Sequence, residues 1–289
     1  MRIALRAPVG IALVAGLIIA ACTGGTANPP AATAATAATA AATSTPKPTA
    51  RLGSFDRPLI LAFVPSQETQ KVLKSGDTIA SALSQATGLK FKAQVPASYA
   101  ATIEGMCSGK VDVAFLTPLS YVLARSKGCA DYMTTSGRFG APTYRGQIRG
   151  RADSGITDLA GLKGKRFAFS DPGSTSGSMY PQLLVKKQFN MTAKDFFSQT
   201  IYAGGHDLAM IALYRGTVDG AASFIDGRTD VPGSAVKLYP DIAQKTKRIA
   251  ETEDIPGDPQ VVRRDLPADL KKTIKQALID YAKTDAGKA

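Results

Sequence analysis

From residue 58 onward, short apolar runs alternate with longer stretches in which apolar residues recur every three or four positions. Pro58-Leu59-Ile60-Leu61-Ala62-Phe63 is a continuous apolar run of strand length, the pattern of a strand covered on both faces. A helical stretch over residues 67–87 follows, closed by Gly88. Residues 89–95, where Leu89, Phe91, Ala93 and Val95 alternate with more polar neighbours, predict a second strand. Next come a helix over 99–108, a strand over 111–115 and, after a turn at Pro118, a helix to about residue 126. A second series repeats this order: strand 166–170, helix 179–189, strand 199–203, helix 207–214 and strand 220–224. Between the two series lies Tyr144-Arg145-Gly146-Gln147-Ile148-Arg149-Gly150, extended and glycine-flanked, which reads as a connection between lobes. Residues 266–282 begin with Pro267 and place Leu270, Ile274, Ala277, Leu278 and Tyr281 at helical spacing. This predicts an amphipathic helix packing back on the first lobe. Strands alternating with crossover helices predict parallel, helix-covered sheets. Such sheets bind ligands beyond the carboxyl ends of their strands, so two lobes would face one another across a cleft.

The amino terminus has a different pattern. Arg2 and Arg6 precede an apolar run from Val9 to Ala21, too short to cross a bilayer, which takes about 20 residues. Residues 1–21 therefore read as a signal peptide. Ile19-Ala20-Ala21-Cys22 resembles the bacterial lipobox, which implies that Cys22 becomes the lipidated first residue. Each buried acyl methylene would then add about 0.8 kcal/mol of membrane affinity, anchoring the protein on the extracytoplasmic side. Residues 22–54 are rich in Ala, Thr and Pro and have almost nothing large and apolar to bury, so they read as a disordered tether. Residues 55–289 are long enough for two lobes, each burying its own core.

The chain has 35 Lys and Arg against 23 Asp and Glu, a formal charge of +12. A basic balance suits either anionic partners or a solvated basic surface. No basic stretch is interleaved with aromatics, so no nucleic-acid partner is expected. Besides Cys22, the chain has Cys107 and Cys129, which outside the cytoplasm either form a disulfide or stay as buried thiols. No Cys-His cluster has metal spacing and there is one histidine, so neither a metal nor a cofactor is expected.

Candidate chemistry concentrates in Asp171-Pro172-Gly173-Ser174-Thr175-Ser176-Gly177, between a strand and a helix with Pro181 in its first turn. The first amides of a helix lack intrahelical partners and point outward with partial positive charge. Three successive hydroxyls add donors there, and two glycines allow close approach of a ligand, so the segment reads as a neutral cradle for an oxyanion. A simple capping turn would need one hydroxyl rather than three. A nucleophile elbow would require serine midway between the glycines, where Thr175 stands. A hydrolase using Ser176 with His206 as base is thus the alternative from another class. His206, in Gly204-Gly205-His206-Asp207, is either a donor to the oxyanion, whose charge would raise the imidazole pKa, or a neighbour of a helix cap.

These segments resemble a known family. The order Tyr99-Ala100-Ala101-Thr102-Ile103-Glu104-Gly105-Met106, Asp112-Val113-Ala114, Tyr144, Asp171 to Gly177 with Pro181, Ala203-Gly204-Gly205-His206-Asp207, Val218-Asp219 and Ile255-Pro256-Gly257-Asp258-Pro259 is similar to the phosphate, phosphite and phosphonate binding proteins of ABC importers. The resemblance extends from about Leu59 to Lys283. It implies an α/β, type II periplasmic-binding-protein-like fold: two Rossmann-like lobes with a hinge and a ligand cleft between them. Lobe 1 would comprise residues 55–145 plus 259–289 and lobe 2 residues 146–258. It also implies a monomeric binder, not an enzyme, that closes on a small phosphorus oxyanion (phosphonate, phosphite or phosphate) and docks on an ABC permease and ATPase complex. A sensory binding lipoprotein without a transporter is a second possibility within that fold.

Carried over by position, Ser174, Thr175 and Ser176 hold the oxyanion with His206, Tyr99 and Tyr144, while Asp226 and Asp258 match two acidic positions that receive a ligand amine. Both aspartates also suit plain turns. Without an amine, a buried carboxylate there would still accept from the P–OH of a phosphorus monoanion and repel sulfate, which has none. The aspartate at 226 is shorter than the usual glutamate, and the chain ends soon after Tyr281 where relatives continue. Both features point to a smaller ligand, or the second to a shortened sequence.

Overall fold

The apolar run at the start of the folded part becomes a strand in which Leu59, Leu61 and Ala62 have no exposed surface. The computed structural model describes residues 50–138, 140–225 and 231–288. The leader, Cys22, most of the tether and Asp226 lie outside the described residues. The first series runs β1 (Leu59–Phe63), α1 (Thr69–Thr87), β2 (Phe91–Gln94), α2 (Tyr99–Cys107), β3 (Val113–Phe115), α3 (Pro118–Ser126) and β4 (Ala130–Thr135). The second runs β5 (Thr143–Arg151), β6 (Arg166–Phe169), a π-helical turn at Thr175–Met179, α4 (Tyr180–Phe189), α5 (Ala193–Phe196) and β7 (Gln199–Tyr202). It continues through α6 (His206–Tyr214), β8 (Gly220–Phe224), α7 (Gly233–Leu238), α8 (Ile242–Lys245) and β9 (Thr246–Pro256). The chain returns as β10 (Pro259–Arg263), followed by α9 (Ala268–Lys283) and the short α10 (Asp285–Lys288).

Local chemistry sets these boundaries. Gly88 closes α1 in the left-handed region at φ 71°, giving its N–H to the Ser84 carbonyl, as a residue without Cβ does at little cost. Ser98 and Thr117 cap α2 and α3 by accepting from the amides of Ala101 and Ser120, and Pro118 stands where a helix needs no N–H.

Among the described residues the strands form two five-stranded sheets, ordered β2-β1-β3-β10-β4 and β7-β6-β8-β5-β9. In the first, β2, β1 and β3 are parallel, whereas β10 runs antiparallel to both β3 and β4. In the second, β7, β6 and β8 are parallel and β5 runs antiparallel to β8 and β9. The expectation of purely parallel sheets is therefore corrected: each sheet is mixed, because a strand arriving from the other sheet enters it in the reverse direction. The segment read as a connection, residues 144–150, is likewise corrected. It is the interior strand β5, and the crossings between sheets lie between β4 and β5 and at Gly257-Asp258. The two crossings run side by side, joined by Ser136 N–H to Asp258 O at 3.0 Å and Gly257 N–H to Pro142 O at 3.0 Å.

Each sheet is covered on both faces. Leu59, Leu61 and Phe63 pack with Leu83 of α1 and Ile274, Ala277 and Leu278 of α9, so the amphipathic helix α9 does lie on the first sheet. Ala62 and Ala114 face Ile103 and Met106 of α2. In the second sheet Ile148, Phe167 and Phe169 meet Phe196 and Phe197, while Ala168 and Ala221 lie under Met210 and Leu213 of α6. Each such buried Leu, Ile, Phe or Met side chain contributes about 1.5–3 kcal/mol. Cys107 and Cys129, 22 residues apart in sequence, are joined in a disulfide that ties the end of α2 to the start of β4, a constraint of about 3 kcal/mol for a loop of that size.

The sheets share a fastening. Asp112, just ahead of β3, accepts the Ile60 N–H of β1 at 2.8 Å and holds Arg263 of β10 at 2.9 Å. Asp219, just ahead of β8, accepts the Arg166 N–H of β6 at 3.0 Å and pairs with the Arg166 guanidinium at 2.9 Å. These two aspartates of the quoted motifs are strand clamps, which leaves the loops at the opposite strand ends to form the site.

Candidate functional site

The carboxyl ends of the parallel strands of both sheets converge on a cavity of about 90 Å³, lined by Val64, Ser66, Gln67, Tyr99, Thr117, Arg138, Tyr144, Ser176, His206, Phe224 and Asp258. A water molecule occupies about 30 Å³ of liquid, so the space suits a ligand of a few heavy atoms. Its position beyond the strand ends follows from the alternation of strand and helix, which leaves helix starts facing the gap.

The loop after β6 is folded on itself. Asp171 accepts the Gly173 N–H at 2.7 Å, and the Ser174 N–H returns to the Asp171 carbonyl at 2.9 Å. Burial raises the Asp171 pKa, and its bonds to backbone N–H groups oppose the rise. Ser174 caps the π-helical turn by accepting the Gly177 N–H at 3.0 Å, and its hydroxyl is 3.3 Å from Nε2 of His206. Thr175 points to the other sheet, where its hydroxyl accepts the Leu119 N–H at 2.9 Å. Of the three successive hydroxyls Ser176 lines the cavity, with Ser174 behind it as cap and Thr175 turned away as an inter-sheet acceptor.

Tyr99, in the first turn of α2, is fully buried, and its hydroxyl has no hydrogen-bond partner among the described residues. Burial, followed by the charge of Asp171, pushes its pKa well above the usual value. Tyr144 enters from β5 and donates to Oδ1 of Asp258 at 3.2 Å; burial, then the Asp258 charge, raises its pKa as well. Both phenols therefore stay protonated at neutral pH and can donate.

His206 opens α6 with its N–H on the Ser66 carbonyl at 2.9 Å, and its ring stands edge-on to Phe224 with centroids 4.9 Å apart. Burial, with the nearby Arg138 charge adding to it, lowers the imidazole pKa from 6.5 to about 3. The ring is therefore neutral near neutral pH rather than charged. Its Nδ1 has no partner among the described residues and its Nε2 meets Ser174 rather than Ser176, so the geometry of a Ser176-His206 base pair with an orienting carboxylate is not formed. A stability consequence follows from the lowered pKa. Above pH 6.5 neither folded nor unfolded His206 binds a proton. Between 6.5 and about 3 the unfolded state does and the folded state does not, so folding stability falls with decreasing pH across that window. Urea unfolding at several pH values is expected to show a shallower acid loss in H206Q than in the parent chain. A bound anion would raise the folded pKa and shrink the window from its acid end.

Asp258 and Tyr144 thus meet across the two crossings, and Tyr99, Ser176 and His206 join them on one cavity. The residue that sequence reasoning missed is Arg138. Its Nη2 is 2.6 Å from Oδ2 of Asp258, and its guanidinium lies 4.1 Å over the Tyr144 ring and 5.2 Å from that of Phe224. No spacing signals a contact between residues 120 apart. Among the described residues no group of three or more His, Cys, Asp or Glu could hold a metal ion, and no helix is long and apolar enough to cross a membrane.

Both sheets are drawn together around this site. Thr117 and Ser120 donate to the Gly173 carbonyl at 2.8 and 2.9 Å, and Ser234 donates to Gln67 at 3.2 Å. With Leu119 to Thr175 and His206 to Ser66, these bonds close the cleft directly.

Known proteins are similar to this chain in sequence and fold. A family model described as "ABC transporter, phosphonate, periplasmic substrate-binding protein" matches residues 61–289. The "Phosphate-import protein PhnD" of Mycolicibacterium smegmatis is 34% identical over 182 residues, 59% of this chain and 56% of that protein. The "Phosphonates-binding periplasmic protein" of Escherichia coli is 33% identical over 208 residues, 70% of this chain and 60% of that protein. The matches thus span less than two thirds of these relatives' lengths, and both are named for import or binding. Among solved structures, a binding protein component of an ABC phosphonate transporter from Pseudomonas aeruginosa has a TM-score of 0.71 at 26% identity, covering 80% of this chain and 77% of that one. PhnD1 from Prochlorococcus marinus in complex with methylphosphonate has a TM-score of 0.69 at 20% identity, covering 80% and 87%, a likeness of fold. The architecture is the two-lobed type II periplasmic-binding fold, and the chain belongs to the family of ABC-transporter phosphonate periplasmic substrate-binding proteins.

Proposed function

We propose that this chain is an extracytoplasmic binding lipoprotein that captures a small phosphorus oxyanion (phosphonate, phosphite or phosphate) by closing its two lobes, and delivers it to an ABC permease. The observation that carries the reading is the small cavity between the sheets, onto which Tyr99, Tyr144, Ser176, His206 and Asp258 converge. Neutral donors outnumber charges there, as suits an anion that must be released again to a transporter. The unpartnered hydroxyl of Tyr99 and Nδ1 of His206 are the kind of buried polar groups that a ligand or water satisfies. Tyr99, Ser176 and His206 donate to the oxyanion, Ser174 and Thr175 shape the turn that presents Ser176, and Asp258 accepts from a P–OH. The crossings between β4 and β5 and at Gly257-Asp258 serve as the hinge between lobes. Cys22 carries the anchor, and residues 22–54 tether the binding unit to the membrane.

Titration calorimetry of the full chain against methylphosphonate, phosphite, phosphate and sulfate tests this reading. The phosphorus oxyanions are expected to bind about 10- to 100-fold more tightly than sulfate, the factor that one unmatched buried polar group makes. Tighter binding of sulfate, or silence with every phosphorus ligand, would overturn the assignment. Loss of acyl labelling and release from the membrane in C22A would test the anchor.

A further inference from the structure

Among the described residues that line the cavity, two carry charge, Arg138 and Asp258, and they face each other. Arg138 stands on the first crossing, held by paired backbone hydrogen bonds with Ala141 at 2.9 Å each. Asp258 stands on the second, 30% and 25% of the two side chains being exposed. Both carboxylate oxygens are engaged, Oδ2 by Arg138 and Oδ1 by Tyr144, and the guanidinium is packed on Tyr144. The pair is therefore fixed from three sides.

Resting on the function proposed above, we infer that Arg138 determines specificity: its ion pair with Asp258 excludes ligands with a cationic tail, so the site takes a compact phosphorus oxyanion bearing hydrogen, hydroxyl or a small neutral alkyl group. A ligand ammonium approaching Asp258 meets a carboxylate whose charge is already compensated, with a guanidinium beside it. In a partly buried site such like-charge contacts are weakly screened by salt and serve to reject wrong partners. An anionic head, in contrast, gains from the guanidinium. A carboxylate with about four acceptor sites can still take a P–OH while paired.

The test separates charge from size with two probes of matched shape, 2-aminoethylphosphonate and propylphosphonate, titrated calorimetrically into the full chain and into R138Q, with methylphosphonate as reference. In the parent chain propylphosphonate is expected to bind about tenfold or more tighter than its amine counterpart, and R138Q to shift that ratio by about tenfold or more toward the amine. The inference is overturned if the parent chain binds 2-aminoethylphosphonate as tightly as propylphosphonate or tighter, whether or not R138Q folds. It is overturned too if a folded R138Q keeps the parent ratio. In both cases the oxyanion-binding reading survives, because methylphosphonate still binds. Absence of binding by all three ligands would remove both.

Discussion

Alanine at Gly177 is expected to weaken ligand binding by about 100-fold or more and to lower folding stability by about 1–3 kcal/mol, the range for overpacking a filled interior. A methyl group there would lie 1.8 Å from Oγ of Ser170, 2.7 Å from its Cβ and 2.7 Å from Cε1 of His206. Neither neighbour can yield cheaply. Ser170 is fully buried, and its N–H already binds the Gly177 carbonyl at 3.0 Å. His206 is held by its N–H on Ser66, by Ser174 and by its T-shaped contact with Phe224. Relief must come from moving the imidazole or unwinding the turn that presents Ser176, and both displace groups that line the cavity. Binding is expected to weaken by about 100-fold or more, as about 3 kcal/mol would do. Denaturant unfolding and calorimetry check the two effects separately. Parent-like affinity in G177A would show that the turn does not position the ligand.

The Asp112→Ala change is expected to cost about 3–5 kcal/mol of stability, the loss seen when one partner of a buried ion pair is removed, and to leave ligand affinity of the folded protein unchanged. Asp112 is nearly buried, and its carboxylate joins three strands: it accepts the Ile60 N–H of β1, precedes β3, and pairs with Arg263 of β10. Without it, a guanidinium that is 13% exposed keeps its exposed neighbour Asp265 but loses the buried carboxylate, and the Ile60 amide loses its acceptor. Asp112 lies at the start of β3, the end away from the cavity, so the damage should stay in the framework. Urea unfolding is expected to show a large drop in midpoint, with methylphosphonate affinity at low denaturant equal to the parent's. A matching loss of affinity would mean that the clamp also sets the cleft.

The parts of this fold legible in the sequence are those set by near neighbours. The run 59–63, the helix 69–87 with its glycine stop, and the strand-turn-helix around Ser174 each carry their signal within a few residues. What escaped is non-local. β5 reads as a connection because Gln147 and Arg149 are buried polar residues, at 0% and 3% exposure, which breaks the alternation that marks a strand. Their satisfaction by the Phe224 carbonyl and Thr246 comes from residues 77 and 97 positions away. β9 is an edge strand with many exposed charges and so no apolar rhythm, and β10 begins with proline, a residue that argues against a strand until a second sheet supplies the context. The candidate site shows the same division. The hydroxyl loop is visible in the sequence, but which hydroxyl faces the cavity is decided by Leu119 in α3 of the opposite lobe, and Arg138 meets Asp258 through the pairing of two crossings.

The bonds that hold the cleft shut have a property of their own. Only the bond from the His206 N–H to the Ser66 carbonyl is main chain at both ends; the Gly173 carbonyl and the Leu119 N–H are met by the hydroxyls of Thr117, Ser120 and Thr175, and Ser234 meets Gln67 through side chains alone. Contact between the lobes therefore rests on small hydroxyl residues, most of them apart from the pair of Arg138 and Asp258 inferred above to select the ligand. Under the proposed function, a lineage could exchange Arg138 or Asp258 to follow a new nutrient and keep that hydroxyl fastening in place.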